Sequence, residues 1–244
     1  MGGTDKSFLM LGKQEMHLRE EILGLLDEAG LIENKSRFGK TELGDSVKFF
    51  RTWGFDEVHA LDVSGYEGAD IIFNLNDELP EELEGKFDVV YDGGVIEHVF
   101  NVSIALMNIC RLVKKGGLIF NLNPVYNYLH NIYWNISPEL FMDFYSANEY
   151  KILDCSIVAF LSETEEKRSW ADRPVIWSPD CRLMDFQHPL QTGRFVSSLN
   201  NLCTNPHPHT FIVAQKTHDG KFNYPTTREY ARRHEMYIER QNNS

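Results

Sequence analysis

The stretch FDVVYDGGVIEHV, residues 87–99, decides the fold class that this sequence predicts. Its first half is rich in β-branched and aromatic residues, which favours a buried strand. Asp92 and two glycines then form an acidic turn in which the backbone can approach a ligand closely. Glu97 and His98 follow as a candidate acid/base pair, or as a helix-dipole partner and a packing residue. A strand that ends this way and continues as a helix is typical of the edge where α/β proteins bind ligands.

Strand-like and helix-like patterns alternate on both sides of this stretch. Short runs of β-branched and other apolar residues predict seven strands, at residues 7–11, 58–63, 70–75, 87–91, 118–122, 151–161 and 210–214. Apolar residues at helical spacing predict helices at residues 16–29, 43–53 and 97–113, after Pro138 and after Pro225. The alternation predicts an α/β fold with a doubly wound, mostly parallel, seven-stranded Rossmann-like sheet.

The chain is expected to form one domain with two additional segments. With 244 residues and 42% hydrophobic content it can bury one full core, so we expect a single domain over residues 1–244. Residues 162–208 lack periodicity and form an irregular insertion before the last strand, of a length typical of lids and binding loops. Residues 219–244 are charged and predict a C-terminal surface extension.

Charge and composition disfavour several classes of partner. The net charge of -12 and the pI near 5.2 argue against nucleic acid, whose partners carry clustered Lys and Arg. The first apolar run is too short for a signal peptide, and no run approaches the ~20 residues of a membrane span. The four cysteines form no CxxC pair, which predicts a reduced, cytoplasmic protein. His207 and His209 lack a matching carboxylate motif, so no catalytic metal is expected.

Polar residues at the predicted strand ends indicate the kind of cofactor. Asp62 ends the second strand, where an acidic side chain can accept hydrogen bonds from a ribose diol or can remain a solvated turn residue. Asn74 and Asn76 can meet an adenine edge or form an Asx turn. The turn after the first strand, GKQEM, lacks the GxGxxG phosphate signature, which makes a nicotinamide enzyme the weaker hypothesis. S-adenosyl-L-methionine suits this acidic edge better, because it has no phosphate and its sulfonium is a cation.

The same features carry a resemblance to a known family. FDVVYDGGVIEHV, KKGGLIFNLNP and the position of Asp62 resemble class I S-adenosylmethionine-dependent methyltransferases over roughly residues 7–161. Three longer runs resemble a bacterial subgroup associated with surface-polysaccharide and sugar pathways: FFRTWGFDEVHALDVSGYEGADIIFNLNDELP, DGGVIEHVFN and HNIYWNISPELF. The resemblance implies O-methylation of a sugar, a nucleotide-linked sugar or a related small metabolite in polysaccharide biosynthesis. The alternative is a regulatory module that binds the cofactor without turnover.

The resemblance also implies a set of cofactor-binding residues. These are Gly12, Lys13 and Gln14 in the first turn, Asp62 and Val63 at the ribose, Asn74 and Leu75 at the adenine, and Asp92 and Gly93 along the methionine moiety. Two positions depart from the family pattern. The first turn has Lys and Gln within the family's GxGxG, and the adenine-side position, commonly acidic, is Asn74.

Two histidines are candidates for the general base of methyl transfer to a hydroxyl. Imidazole titrates near working pH, and His98 and His130 follow the fourth and fifth strands on the ligand side of the sheet. Alternatively, His130 is a loop residue bonded to backbone. Polar and aromatic neighbours of His130 form a candidate acceptor pocket or part of the core: Asn131, Tyr133 and Trp134.

Overall fold

A computed structural model describes residues 6–14, 45–126, 131–160, 174–177 and 207–242. Within them, eight strands form one sheet: β1 (Ser7–Leu11), β2 (Glu57–Asp62), β3 (Ile71–Ile72), β4 (Phe87–Asp92), β5 (Val113–Pro124), β6 (Lys151–Phe160), β7 (Pro174–Trp177) and β8 (His207–Gln215). The α-helices are α1 (Ser46–Thr52), α2 (Val102–Leu112), α3 (Pro138–Ala147) and α4 (Arg228–Asn242). Short 3-10 helices cover Glu81–Leu83 and Ile96–His98.

The strand order is β3-β2-β1-β4-β5-β8-β6-β7. Strands β1 to β5 are parallel, and β8 runs antiparallel between β5 and β6. The predicted doubly wound, mostly parallel sheet is therefore confirmed. Strand β7 is an eighth, antiparallel edge strand drawn from within the predicted insertion. The chain order reverses beside β1, which makes the carboxyl ends of β1 and β4 the expected ligand edge.

Strand β1 is buried on both faces of the sheet. All five of its residues are buried, and successive side chains point to opposite sides. Leu9 and Leu11 join the core that contains residues of α2 and α3, while Phe8 and Met10 pack with the aromatic residues of α1. The Phe8 and Phe50 rings stack with centroids 3.9 Å apart. Cover on both faces explains the continuous apolar run SFLML, which is typical of a central parallel strand.

The predicted helix over residues 97–113 begins later, at Val102. In a continuous helix the Glu97 carbonyl would accept from the N–H four residues on. Instead, it accepts from the backbone N–H groups of Tyr133 and Trp134, at 2.9 and 3.2 Å. The Asn101 N–H donates to Asn76 Oδ1 at 2.9 Å. Tertiary hydrogen bonds thus replace the first helical turn and leave residues 96–98 as a separate 3-10 helix.

Other predicted boundaries also moved. The strand predicted over residues 70–75 stops at Ile72, because the following residues form a turn in which Asp77 N–H donates to the Asn74 carbonyl. Helix α1 begins at Ser46, since the Asp45 side chain caps it by accepting from two backbone N–H groups. The helix predicted after Pro225 is α4, and the helix predicted over residues 16–29 lies outside the described residues. No helix in the described part of the chain has the length and apolar character to cross a membrane.

A buried lysine fixes the end of α2 to the strand that closes the sheet. Lys216 follows β8, and only 7% of its side chain is exposed. Its Nζ donates to the Cys110 and Val113 carbonyls, each at 2.9 Å, and pairs with Asp219 at 2.8 Å. The ammonium therefore satisfies carbonyls at the negative end of the α2 dipole.

Replacing Lys216 with methionine is expected to lower the free energy of unfolding by about 2 to 3 kcal/mol, because two buried carbonyls lose their donor. The matched control is Lys221→Met, at an exposed position of the same segment. It should change stability by less than about 0.5 kcal/mol. Urea unfolding of both variants measures the difference, and equal stabilities would contradict the capping role.

Candidate functional site

The register of the sheet brings three predicted site residues to one edge. Leu11 is level with Leu61 in β2 and with Asp92 in β4. The N–H of Gly12 extends the β1–β2 pairing by donating to the Leu61 carbonyl at 2.8 Å. The residues that follow these three strands, including Asp62 at the end of β2, therefore surround one cleft at the topological switch point.

The turn after β1 is tight. Gly12 has a φ of +63°, and a Cβ at this residue would lie 3.2 Å from Val95 Cγ2 and 3.9 Å from Asp62 Oδ2. Only glycine adopts this conformation without strain. Gln14 Nε2 donates to the Leu11 carbonyl at 3.0 Å and so closes the turn. A side-chain amide thus stabilises a turn that lacks the glycine-rich pattern.

Asp62 lies at the open side of this turn. It is half-buried, and its Oδ1 accepts a long local bond from Ser64 N–H at 3.3 Å. The next side chain, Val63, is 66% exposed. Lys13 Nζ lies 3.3 Å from the position that a Cβ on Gly68 would take, in the loop after β2. An acidic and a basic group therefore border the same part of the cleft.

Asn74 forms the Asx turn that was one of its two predicted roles. Its Oδ1 accepts from the backbone N–H and the Nδ2 of Asn76, at 3.1 and 3.0 Å. The loop is held beside β2, because Phe73 N–H donates to the Asp62 carbonyl at 2.8 Å. It is also held to α2, where Asn108 Nδ2 donates to the Leu75 carbonyl at 3.2 Å. The predicted adenine-side residues thus lie in a rigid loop next to the predicted ribose-side residue.

Asp92 is the centre of a buried polar network. Its side chain is fully buried, and Oδ1 accepts from the backbone N–H groups of Val95 and Ile96, at 3.0 and 3.3 Å. Oδ2 accepts from the amides of Asn121 and Asn123, at 3.0 and 2.8 Å. Burial raises the pKa of Asp92, while these donors oppose the shift. The four bonds fix the turn after β4 to the carboxyl end of β5.

Gly93 follows Asp92 in the turn after β4. A Cβ at this position would lie 2.6 Å from Cε1 of Tyr91, closer than atoms can approach. The Tyr91 ring therefore already occupies the space that a larger residue would need. A residue with a side chain at position 93 would therefore force the Tyr91 ring or the turn to shift.

Glu97 lies against the same network and does not serve as a first-turn residue of an α-helix. It is 4% exposed, and its Oε2 accepts from Asn123 Nδ2 at 3.0 Å. A Cβ on Gly94 would lie 3.2 Å from Glu97 Oε1, which places the carboxyl group beside the glycine turn. Burial, and next the charge of Asp92, raise the pKa of Glu97 to about 7. Glu97 therefore exchanges its proton near neutral pH.

This shift predicts a pH dependence of stability. A glutamate whose folded pKa is raised stabilises the fold below its unfolded pKa of about 4.3 and loses that contribution as the pH rises through about 7. The stability of the wild-type chain relative to Glu97→Gln should therefore fall between these two values. Urea unfolding of both chains across this range measures the difference, and a difference that is constant with pH would contradict the shift.

His98 and a group of aromatic residues form the rim of the cleft. His98 is exposed, and its Nδ1 is 2.5 Å from the Asn131 carbonyl. The Phe100 and Tyr133 rings meet edge to face, with centroids 5.8 Å apart and exposures of 71% and 67%. Trp134 Nε1 donates to the Val99 carbonyl at 3.0 Å. The predicted acceptor-side residues thus lie beside His98, whereas His130 lies outside the described residues.

The sequence analysis missed three members of the network: Asn121, Asn123 and Tyr145. Tyr145 of α3 donates from its hydroxyl to Asn121 Oδ1 at 2.6 Å. A signal was present, since the two asparagines alternate with apolar residues in LIFNLNP and therefore share one face of β5. Among the residues described, no group of three His, Cys, Asp or Glu side chains is placed to hold a metal ion.

A cavity of about 570 Å³ lies at the opposite edge of the sheet. Arg111 and Lys216 line it, and their charges are already paired with Glu84 and Asp219. It lies at the amino ends of the parallel strands, away from Asp62 and Asp92. The candidate functional site is therefore the cleft at the carboxyl ends.

Comparisons with known proteins give structural likenesses only. No protein-family model matches the chain, and no curated protein matches its sequence. An S-adenosylmethionine-dependent methyltransferase from Archaeoglobus fulgidus is 15% identical, with 87% of each chain covered and a TM-score of 0.44. TehB from Haemophilus influenzae is 11% identical, with 87% of this chain and 58% of that chain covered and a TM-score of 0.46.

A third similar structure is phosphoethanolamine N-methyltransferase 2 from Haemonchus contortus, in complex with S-adenosyl-L-methionine. It is 15% identical, with 89% of this chain and 50% of that chain covered and a TM-score of 0.42. All three TM-scores are low. The fold is therefore assigned from the strand order of this chain itself.

Proposed function

We propose that the chain is an S-adenosylmethionine-dependent methyltransferase that methylates a hydroxyl group. The observation that carries the proposal is the position of Asp62, at the end of β2 and next to the tight Gly12 turn of the central strand. An acidic side chain at this position of a doubly wound sheet suits a ribose diol. The antiparallel β8, between β5 and β6, is in keeping with the resemblance found in the sequence.

The residues at this edge fit the proposed cofactor. Gly12 and Gly93 add no side chain to the two turns, and neighbouring side chains already fill the space that a Cβ would take at each of them. We assign the ribose to Asp62 and Val63, the adenine to Asn74 and Leu75, and the methionine moiety to Gly12, Lys13, Gln14, Asp92 and Gly93. No glycine-rich phosphate turn is present, and this disfavours a dinucleotide.

When bound, the cofactor supplies a methyl group that its sulfonium has already activated. The chain has to align an acceptor hydroxyl and remove its proton. We propose His98 and His130 as the candidate bases. The Asn131 carbonyl fixes the orientation of the His98 ring at the rim of the cleft.

The proposed acceptor is a sugar, a nucleotide-linked sugar or a related small metabolite of polysaccharide biosynthesis. Exposed aromatic rings beside His98 support it, because flat, partly polar side chains suit the faces of sugar rings. Asn131, Tyr133 and Trp134 are the proposed contacts. The acidic composition supports an enzyme that does not bind nucleic acid, and we propose that it acts in the cytoplasm, where the buried Cys110 and Cys155 would stay reduced.

Calorimetry with S-adenosylhomocysteine tests the cofactor assignment. We expect micromolar binding and release of this product when a panel of sugars and nucleotide sugars is supplied with S-adenosyl-L-methionine. Absence of binding at high micromolar protein would overturn the proposal. His130→Ala should slow turnover and leave cofactor affinity nearly unchanged.

A second candidate function is a cofactor-binding module without turnover. The first turn favours it, because Lys13 and Gln14 replace the glycine pattern and Val95 packs close to Gly12. Binding of S-adenosylhomocysteine without methyl transfer to any acceptor in the panel would support this function over the first.

A further inference from the structure

The carboxyl groups of Asp92 and Glu97 form a buried pair. Neither group is among the proposed contacts to the ribose or the adenine. Asn123 Nδ2 donates to both of them, to Asp92 Oδ2 at 2.8 Å and to Glu97 Oε2 at 3.0 Å. Among the described residues, no lysine or arginine forms an ion pair with either carboxyl group. Negative charge on the pair is therefore not neutralised by a cation of the described chain.

Asn123 adds a further oxygen to this region. It is fully buried, and its Oδ1 has no hydrogen-bond partner among the residues that the structure describes. Thr210 is level with Asn123 in the β5–β8 register, and its buried Oγ1 also has no partner in the described part of the chain. Side chains level with each other in an antiparallel pair lie on the same face of the sheet. Unpartnered buried oxygens beside a carboxyl pair are costly, and a positively charged ligand would reduce that cost.

We propose that the Asp92–Glu97 pair is the counter-charge for the sulfonium cation of S-adenosyl-L-methionine. It would then favour this cofactor over S-adenosylhomocysteine, whose sulfur is neutral. The inference rests on the proposed function, in which the methionine moiety lies along Asp92 and Gly93. Glu97 Oε1 borders the adjoining Gly94, so the carboxyl group lies at the turn itself. In a buried site a charge pair a few ångströms apart interacts far more strongly than in water.

Glu97 must lose its proton to act as a counter-charge. Burial and the charge of Asp92 raise the pKa of Glu97 to about 7, so the cation and the proton compete for the same group. Asp92 shares the Asn123 amide with Glu97, and Tyr145 of α3 donates to Asn121 of the same network. His98 is the chain neighbour of Glu97, and Tyr133 is bonded to its carbonyl through the backbone. Burial raises the pKa of Tyr145 well above its ordinary value, so Tyr145 stays neutral in this range. Selectivity for the charged cofactor should therefore rise as the pH rises through about 7.

Calorimetry with the full chain tests the inference, using S-adenosyl-L-methionine and S-adenosylhomocysteine at about pH 5.5 and about pH 7.3, below the titration of a free α-amino group. In the wild-type chain, the preference for S-adenosyl-L-methionine should increase about tenfold between the two pH values. Glu97→Gln should abolish the increase and keep the affinity for S-adenosylhomocysteine within about threefold of wild type. His98→Gln is the matched control, because His98 is the chain neighbour of Glu97 and lies exposed at the rim of the cleft, and it should retain the increase.

Each other result overturns the inference. If the wild-type preference for S-adenosyl-L-methionine over S-adenosylhomocysteine does not change with pH, the carboxyl pair is not the counter-charge. The cofactor assignment would still stand. Loss of the increase in His98→Gln but not in Glu97→Gln assigns the titration to the imidazole. If Glu97→Gln binds neither S-adenosyl-L-methionine nor S-adenosylhomocysteine, Glu97 supports the folded site and does not discriminate between the two ligands. If neither ligand binds the wild-type chain, the proposed function fails as well.

Discussion

Asp92→Ala is expected to lower the free energy of unfolding by about 3 to 5 kcal/mol. The substitution removes the acceptor of four hydrogen bonds in a fully buried position. Two of the donors are the fully buried amides of Asn121 and Asn123, of which Asn121 loses this acceptor while Asn123 keeps its bond to Glu97. Urea unfolding near neutral pH measures the loss as a shift of the midpoint.

The control is Asp56→Ala, at an exposed aspartate that accepts one hydrogen bond from Lys6 N–H at 3.2 Å. It should cost less than about 1 kcal/mol. A loss below about 1 kcal/mol in Asp92→Ala would mean that the network relaxes around the missing carboxylate. In that case the turn after β4 would not depend on this side chain.

Asp62→Ala is expected to weaken S-adenosylhomocysteine binding about 10- to 100-fold and to leave the fold intact. A carboxylate that accepts two hydroxyls contributes charge-assisted hydrogen bonds, each of about 1.5 to 3 kcal/mol, and part of this is recovered by water. Stability should hardly change, since the side chain makes one long local hydrogen bond, to Ser64. Calorimetry gives the affinity, and thermal unfolding without ligand gives the stability.

Asp62→Asn provides the matched comparison, because it keeps the size of the side chain and removes the charge. We expect its affinity to lie between those of the wild type and Asp62→Ala. An unchanged affinity in Asp62→Ala would place the ribose away from β2. That result would leave the fold assignment intact and remove the proposed orientation of the cofactor.

The central sheet could be predicted because its patterns are local. SFLML reads as a buried strand from composition alone, and β1 has the bounds that were predicted. Asp62 was identified as the end of β2 for the same reason, since the apolar run stops there. The topology rule for doubly wound sheets then places both at one edge, and the register of β1 and β2 confirms this.

The alternation in LIFNLNP places Asn121 and Asn123 on one face of β5, but their hydrogen-bond partners could not be predicted, because these lie in distant segments. Glu97 resembles a helix-start residue in sequence. In the structure its carbonyl accepts hydrogen bonds from the backbone N–H groups of Tyr133 and Trp134, and its carboxyl group accepts one from Asn123. These partners lie 26 or more residues away in the chain. Tertiary hydrogen bonds here override the local helical preference, as they do wherever a buried carbonyl finds a closer partner.

The hydrogen bonds from Tyr133 and Trp134 to the Glu97 carbonyl have a consequence for how the rim of the cleft can change in evolution. They are made by backbone N–H groups, so they persist whatever side chains occupy these two positions, proline excepted. The Tyr133 ring is mostly exposed, so another side chain can replace it without weakening the backbone hydrogen bonds to the Glu97 carbonyl. Residue 133 can therefore change the surface of the rim while the attachment of this segment to the residues after β4 is inherited unchanged.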